Sequence, residues 1–277
     1  MIKRMFSIDP EESCFLFGAR GTGKTTLLHA LFDSTSTMFI DLLDPEEEDN
    51  FGRHPNLLEE RIKAAPKTIQ RVVIDEIQKV PKLLNLVHKL IESTSVIFVL
   101  TGSSSRKLKR GASNLLAGRA FVQTIFPFTS IELGVRFDLL KALKWGTLPA
   151  LSNLNTDLKK ERFLRSYALT YIKEEIQEEQ IIRKLDPFRQ FLEIAAQSNG
   201  KIINYAKIAQ DVGVDTDTVI SYFSILQDTL IGYLIHPYHT SIRKRQRKNP
   251  KFYFFDTGVK RALQRTLRDA VITKVPF

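Results

Sequence analysis

One segment near the N-terminus restricts the fold of this chain more than any other. It reads Gly18-Ala19-Arg20-Gly21-Thr22-Gly23-Lys24-Thr25, that is, a glycine, four residues, and then Gly-Lys-Thr. An apolar run, Cys14 to Phe17, precedes this segment, and a helical pattern from Thr26 to Phe32 follows it. A strand, a glycine-rich loop and a helix in this order predict a phosphate-binding loop inside an α/β domain.

The residue types in this loop suit the phosphates of a nucleotide. The glycines let the backbone direct N–H groups at phosphate oxygens, and the following helix adds its positive dipole end. Lys24 is predicted to reach the β- and γ-phosphates, and the Thr25 hydroxyl is predicted to ligate Mg²⁺. Arg20 and Thr22 are expected to point outwards as variable loop positions. The predicted nucleotide-binding residues are Gly18, Ala19, Arg20, Gly21, Thr22, Gly23, Lys24, Thr25 and Thr26.

Two adjacent acids end a second apolar run, Arg71 to Ile74. Asp75 is placed to support Mg²⁺ beside the phosphate loop, because carboxylate oxygens at the end of a buried strand suit this ion. Glu76 is predicted to polarise the attacking water as a general base. The alternative is that the acids are an ordinary helix-capping pair, and their pairing with the phosphate loop favours the catalytic interpretation.

A further buried run, Val96 to Leu100, leads into Thr101 and Ser103. If this strand lies between the first strand and the strand that carries Asp75, either Thr101 or Ser103 can contact the γ-phosphate or the attacking water. The alternative is that a serine here caps the next helix.

Arg119 directly precedes the predicted fifth strand. An arginine in this position can reach the nucleotide of a neighbouring subunit and stabilise transition-state charge in trans. It can equally be a surface arginine or a cation at a helix C-terminus. A basic cluster earlier in this segment is either a nucleic-acid patch or a solvated helix face. The cluster consists of Arg106, Lys107, Lys109 and Arg110.

The first 150 residues alternate short apolar runs with helical patterns, which predicts a parallel sheet in a three-layer α/β domain. The five apolar runs are Cys14 to Phe17, Met38 to Leu42, Arg71 to Ile74, Val96 to Leu100 and Ala120 to Phe126. Lys82 to Ser93 has leucines and a valine at helical spacing. The acidic stretch Pro45 to Asp49 is predicted to be a solvated loop.

The second half of the chain is mainly helical. Residues 151–185 are predicted to form a helical lid or linker, and Asp186-Pro187 indicates a boundary. Residues 186–256 are predicted to form a winged helix: three short helices are followed by two β-like runs. The loop between these runs is basic from Arg243 to Lys248, which suits DNA phosphates. The third helix begins with acidic residues at Asp215 and Asp217, so protein docking is the open alternative.

Composition limits the choice of partner and compartment. The net charge of +10 is compatible with an anionic partner such as nucleic acid or a nucleotide. A single cysteine excludes an intrachain disulfide, and no apolar stretch approaches the length of a membrane span. A cytoplasmic protein without a membrane partner is therefore expected.

Several motifs in one order resemble a known family. They are Gly18 to Thr26, Val73 to Lys79, Leu100 to Ser104, Leu116 to Arg119, Gly146 to Pro149 and Phe252 to Gly258. Nearly the whole chain resembles the prokaryotic P-loop ATPases of the AAA+ superfamily in which a winged helix and a nuclease-like domain of unknown function follow the ATPase domain. In that family the last domain continues well past Asp256-Thr257-Gly258, so residues 257–277 are expected to be its truncated start, without nuclease activity.

The resemblance implies ATP and Mg²⁺ as ligands, with Asp75 on the metal and Glu76 on water. It also favours Thr101 or Ser103 as a sensor and Arg119 as a finger acting between copies in a homo-oligomer. We therefore expect an AAA+ ATPase that couples its nucleotide state to a winged helix. The alternative is a nucleotide-gated DNA- or protein-binding switch with little turnover.

Overall fold

The computed structural model describes residues 2–104, 120–171, 185–238, 240–241 and 248–271. The chain divides into two compact units, Met1–Phe126 and Pro127–Phe277. Each unit has its own hydrophobic core.

A five-stranded sheet forms the centre of the N-terminal unit. Its strands are β1 (Cys14–Phe17), β2 (Thr37–Asp41), β3 (Arg71–Asp75), β4 (Ile97–Gly102) and β5 (Phe121–Thr124). Neighbouring strands are parallel and follow the order β2-β3-β4-β1-β5. The predicted five-stranded parallel sheet is confirmed. Strand β4 lies between β1 and β3, so the residues that follow it end beside both the phosphate loop and the acid pair.

Helices connect these strands and cover the sheet. They are α1 (Lys24–Leu31), α2 (Pro45–Arg53), α3 (Leu57–Ala64) and α4 (Leu83–Ser93). A short 3₁₀ turn, Ile77–Lys79, follows β3. Helix α4 buries Leu83, Val87 and Leu90, which recur at helical spacing. In the core, Leu28 of α1 belongs to the same buried cluster as Leu16 of β1.

The prediction of a solvated acidic loop at Pro45 to Asp49 is wrong, because this segment begins helix α2. The Asp44 side chain accepts a hydrogen bond from the backbone N–H of Glu46 at 2.9 Å, which caps the helix. Pro45 occupies the first turn, where its missing N–H costs nothing. Acidic residues in this turn face the positive end of the helix dipole, and Glu47 also forms two hydrogen bonds with Arg61 at 2.6 and 3.0 Å.

The C-terminal unit is mainly helical. Its helices are α5 (Ser130–Leu133), α6 (Leu139–Trp145), α7 (Asp157–Ser166), α8 (Leu185–Gln197), α9 (Tyr205–Val212), α10 (Thr216–Asp228) and α11 (Thr257–Leu263). Strands β6 (Gly232–Ile235) and β7 (Lys251–Phe254) form an antiparallel hairpin. Shorter turns are Gly134–Arg136 and Pro149–Asn153, which are 3₁₀, and Tyr167–Tyr171, which is π-helical.

Helices α8, α9 and α10 followed by the β6–β7 hairpin have the order of a winged helix. Phe223 of α10 is fully buried at the centre of this group. Its ring contacts those of Phe191 and Phe252, each with centroids 4.9 Å apart, and that of Tyr205 at 5.7 Å. Phe223 of α10 therefore packs against aromatic residues of α8, α9 and β7, and these contacts form the core between the three helices and the hairpin.

The two compact units divide the chain differently from the predicted boundaries, which placed the end of the first domain at residue 150 and a new domain after residue 256. The Asp256 carboxylate explains the difference. It accepts hydrogen bonds from the N–H of Thr147 at 2.8 Å and from the N–H of Val259 at 3.0 Å. It thus caps α11 and fixes the segment after α6 in the same unit, while Asp186-Pro187 lies in the first turn of α8.

Three predicted basic features lie outside the described residues: Arg119, the cluster from Arg106 to Arg110, and Arg243 to Arg247 of the basic loop. Within the described ranges, no helix has the length and apolar character needed to cross a membrane.

Candidate nucleotide-binding site

The phosphate loop connects the end of β1 to the start of α1. Gly21 and Gly23 have φ angles of 77° and 91°, a left-handed conformation that glycine adopts without steric cost. The Arg20 side chain is exposed, as predicted. The prediction that Thr22 points outwards is wrong: its side chain is buried, and its hydroxyl donates to the carbonyl of Ala19 at 2.7 Å. This bond closes the loop on itself, so Thr22 holds the loop's shape.

Lys24 is the first residue of α1, and only 5% of its surface is exposed. Its Nζ donates to the carbonyl of Gly18 at 2.9 Å and lies 3.5 Å from Oε1 of Glu76. The buried ammonium is therefore held inside the loop by one backbone dipole and one carboxylate. Such a charge is available to an anion that displaces these partners.

The two carboxylates at the end of β3 are held by side chains from neighbouring elements. One oxygen of Asp75 accepts a hydrogen bond from the Thr25 hydroxyl, and the other accepts one from the Thr101 hydroxyl. The Thr101 hydroxyl also accepts from the backbone N–H of Glu76 at 3.0 Å. Thr101, at the end of β4, thus links both acids of β3.

Glu76 is buried and has a left-handed backbone with φ of 56°. Its Oε2 accepts hydrogen bonds from the Gln78 amide, from the Ser103 hydroxyl at 3.1 Å and from the Ser103 backbone N–H at 3.3 Å. Burial by itself raises the pKa of Glu76, but the charge of Lys24 and the bonds from Gln78 and Ser103 outweigh burial and lower it. Glu76 is therefore ionised at neutral pH.

Two families match successive parts of the chain. Residues 10–134 match a family described as an AAA domain. The N-terminal unit is a P-loop domain of the AAA+ superfamily. Residues 136–269, which lie in the C-terminal unit, match a domain of unknown function, DUF8612.

Relatives of this chain occur in bacteria and archaea. An uncharacterized protein of Mycobacterium tuberculosis is 25% identical over 246 residues, which are 88% of this chain and 54% of that protein. An uncharacterized protein of Methanocaldococcus jannaschii is 26% identical over 315 residues, which cover 92% of this chain and 63% of that protein. The chain thus spans about half the length of the mycobacterial relative it matches.

Solved structures similar to this chain include two proteins of Aeropyrum pernix. The ORC2 protein, solved as ADPNP-ADP complexes, has 11% identity and a TM-score of 0.47 over 94% of this chain and 87% of that chain. The ORC1 protein, solved in complex with DNA, has 14% identity and a TM-score of 0.35 over 92% of this chain and 86% of that chain.

The oxygens around Asp75 fit the Mg²⁺ that AAA+ ATPases use with their nucleotide. A threonine hydroxyl and a carboxylate meet at Thr25 and Asp75, and hard cations prefer such oxygen ligands. Among the described residues, no group of three or more His, Cys, Asp or Glu side chains is placed to hold a metal ion. Mg²⁺ is usually held by one or two protein oxygens together with phosphates and water, and Thr25 and Asp75 provide two such oxygens.

The structure of the AAA+ domain brings most of the predicted site residues together. They are Lys24, Thr25, Asp75, Glu76, Thr101 and Ser103. Arg119 lies outside the described residues, and the sensor role of Thr101 or Ser103 stays a prediction. Sequence reasoning gave no role to Gln78, whose amide contacts both Glu76 and Ser103. The sequence did contain one indication of this contact: Gln78 is polar and lies two positions after the acid pair.

Proposed function

We propose that the AAA+ domain binds ATP with Mg²⁺ and hydrolyses it to ADP and phosphate. One observation supports this proposal above the others: Lys24 and Thr25 of the phosphate loop lie beside both acids at the end of β3, Thr25 on Asp75 and Lys24 on Glu76. A cation that binds the phosphates and a side chain that orients the attacking water are recurring protein groups in phosphoryl transfer to water.

In this proposal each residue has a distinct task. Backbone N–H groups of the loop and the Lys24 ammonium bind the β- and γ-phosphates and exclude water from them. Thr25 and Asp75 hold Mg²⁺, which neutralises charge on the phosphate oxygens when it is bound. Glu76 orients a water molecule and accepts its proton. The pKa of Glu76 is lowered by Lys24, Gln78 and Ser103, so the side chain is present as the carboxylate, the form that can accept a proton.

The nucleotide-binding part of the proposal is tested by Lys24→Ala. We expect the affinity for a fluorescent ATP analogue to fall by at least about tenfold, because a charge-assisted contact to phosphate is lost. Lys67→Ala is the matched control: it removes the same charge from an exposed turn before β3, at the opposite end of the sheet. Unchanged binding by Lys24→Ala would rule out this loop as the nucleotide site.

A nucleotide-gated switch with little turnover is the second candidate function. The observation that favours it is the Lys24–Glu76 ion pair, because a carboxylate held by the phosphate-binding lysine is not free to activate water. Steady-state phosphate release distinguishes the two functions. Tight ATP binding without measurable release, with and without DNA, would support the switch and contradict the ATPase.

The proposed partners are DNA and further copies of the chain. The basic loop Arg243 to Lys248 connects the strands of the β6–β7 hairpin, and its charge suits phosphate contacts of low sequence specificity. Helix α10 begins with the acidic cap Asp215 and carries Asp217 in its first turn, so it is unsuited to reading base edges. Arg119 is proposed to complete the nucleotide site of a neighbouring copy.

A further inference from the structure

The carboxylate of Glu76 has two chemically different sides. Oε2 accepts three hydrogen bonds, from the Gln78 amide and from the hydroxyl and backbone N–H of Ser103. Oε1 instead faces the Lys24 ammonium at 3.5 Å. One oxygen is therefore fixed by parts of the domain that need not move, and the other is paired with the residue that must change partners when phosphate binds.

The position of Gln78 in the fold directs its amide towards Glu76 and Ser103. It lies in the 3₁₀ turn Ile77–Lys79, where the fully buried Ile77 anchors the turn. The Gln78 side chain is only 8% exposed, and its Nε2 also donates to the Ser103 hydroxyl at 3.1 Å. A primary amide has two N–H groups, so it can donate to both partners at once.

The other end of the Gln78 amide carries a cost in stability. In the part of the chain that the structure describes, the buried Oε1 of Gln78 has no hydrogen-bond partner. Residue 102 is glycine, and a Cβ there would lie 2.8 Å from this oxygen and crowd it. The amide thus keeps one unpaired oxygen in the core while both of its N–H groups are directed at Glu76 and Ser103.

We propose that Gln78 is a positioning residue that, together with Ser103, anchors Oε2 of Glu76 and leaves Oε1 as the oxygen that accepts the proton of the attacking water. This inference rests on the proposed ATPase function. When the triphosphate binds, Lys24 turns to its phosphate oxygens and releases Oε1. The three donors on Oε2 then keep the carboxylate in place although its cation has left.

In the proposed hydrolysis step, Glu76 takes a proton from water while the water oxygen attacks the γ-phosphate. A water proton moves to Oε1, and the water oxygen forms a bond to the γ-phosphorus. The bond between this phosphorus and the oxygen bridging to the β-phosphate breaks, and its electron pair stays on ADP. The proton then leaves Glu76 for the released phosphate or solvent, and Oε1 returns to Lys24.

Gln78→Met tests the proposal because it keeps the length of the side chain and removes both donors. We expect kcat for ATP hydrolysis to fall by about 10²-fold, since misplacing a catalytic group by about 1 Å has effects of this size. The dissociation constant for ATP should change by less than about threefold, because Gln78 acts after binding. Gln70→Met makes the same change at an exposed position before β3 and should retain wild-type kcat.

A double-mutant cycle separates positioning from a general structural effect. In a Glu76→Gln background, adding Gln78→Met should change the remaining rate by less than about twofold, because the group that Gln78 positions is already absent. A full further loss of rate in this background would overturn the proposal, as would a wild-type kcat for Gln78→Met alone. If Gln78→Met does not fold, Ser103→Ala replaces it: a lower kcat at unchanged ATP affinity supports the proposal, and an unchanged kcat overturns it.

Phosphate release by the wild type and by Gln78→Met distinguishes the ATPase function from the positioning role of Gln78. Wild-type protein that binds ATP but releases no phosphate contradicts the ATPase itself. Wild-type turnover that Gln78→Met leaves intact contradicts only the positioning role.

Discussion

At the scale of single residues, the two acids of β3 differ in their partners although they are adjacent in sequence. Asp75 is held by two hydroxyl groups, from Thr25 and Thr101, whereas Glu76 is paired with a lysine. On this basis we propose that Asp75 supports a cation and that Glu76 activates water. The Thr101 hydroxyl bridges the pair, since it donates to one acid and accepts from the backbone of the other.

Thr101→Val should destabilise the AAA+ domain by about 1–3 kcal/mol, because it leaves buried polar groups of β3 without their partner. Thr37→Val is the control. Thr37 is also buried in the sheet, but its hydroxyl has no hydrogen-bond partner among the residues with a described placement. Its replacement should be neutral or stabilising. Urea unfolding of both variants measures the difference, and equal losses of stability would contradict the bridging role.

The sequence predicted which residues meet in the site but not how they are connected. Lys24, Asp75 and Glu76 were identified because a loop and a strand end carried recognisable residue types. The burial of Thr22 and the amide of Gln78 depend on contacts with Ala19 and Ser103, and no periodicity in the sequence encodes such contacts.

At the scale of secondary-structure elements, the strands of the sheet were predictable because they are buried on both faces and read as continuous apolar runs. Helix α2 was not, because its acidic first turn resembles a solvated loop. The structure shows that Asp44 and Pro45 start this helix, so the capping pattern outweighs the low hydrophobicity. The boundary between the units also differs from the predicted one. Contacts between residues distant in sequence, such as that of Asp256 with Thr147, tie the segment after α6 to the C-terminal unit.

Asp256→Ala should cost about 2–5 kcal/mol in the stability of the C-terminal unit, because it leaves buried N–H groups of two segments unpaired. Asp215→Ala is the matched control. Asp215 also caps a helix, α10, but it is exposed, so its loss should cost only about 1 kcal/mol. Chemical denaturation followed by circular dichroism compares the two variants. A loss for Asp256→Ala no larger than that for Asp215→Ala would contradict its bridging role.

Strand β1 carries Cys14, the single cysteine of the chain, inside the core of the AAA+ domain. Burial raises the pKa of its thiol to about 11, so at pH 8 the thiol is protonated and unreactive in the folded domain. We expect a thiol reagent to label Cys14 only when the domain opens. Saturating ATP at 100 times its dissociation constant should slow labelling roughly 100-fold, because it stabilises the folded domain by about 2.7 kcal/mol. Rapid labelling that ATP does not affect would contradict this prediction.

At the scale of the whole molecule, the two units carry different parts of the proposed function. The AAA+ domain holds the nucleotide site, and the C-terminal unit presents the winged-helix-like hairpin. If Arg119 acts between copies of the chain, specific turnover should rise with protein concentration, and Arg119→Ala should remove this rise. Phosphate release measured over a dilution series tests this. Specific activity independent of concentration would exclude an intermolecular finger.

We propose that Lys24 and Glu76 belong to one ATP-hydrolysing site. Phosphate release at saturating ATP and Mg²⁺, measured side by side for the wild type and Glu76→Gln, tests it most directly. We predict that the wild type turns over and that Glu76→Gln binds ATP with similar affinity but hydrolyses it about 10²- to 10⁴-fold more slowly, because the general base is lost. Full turnover by Glu76→Gln, or none by the wild type, would contradict the account.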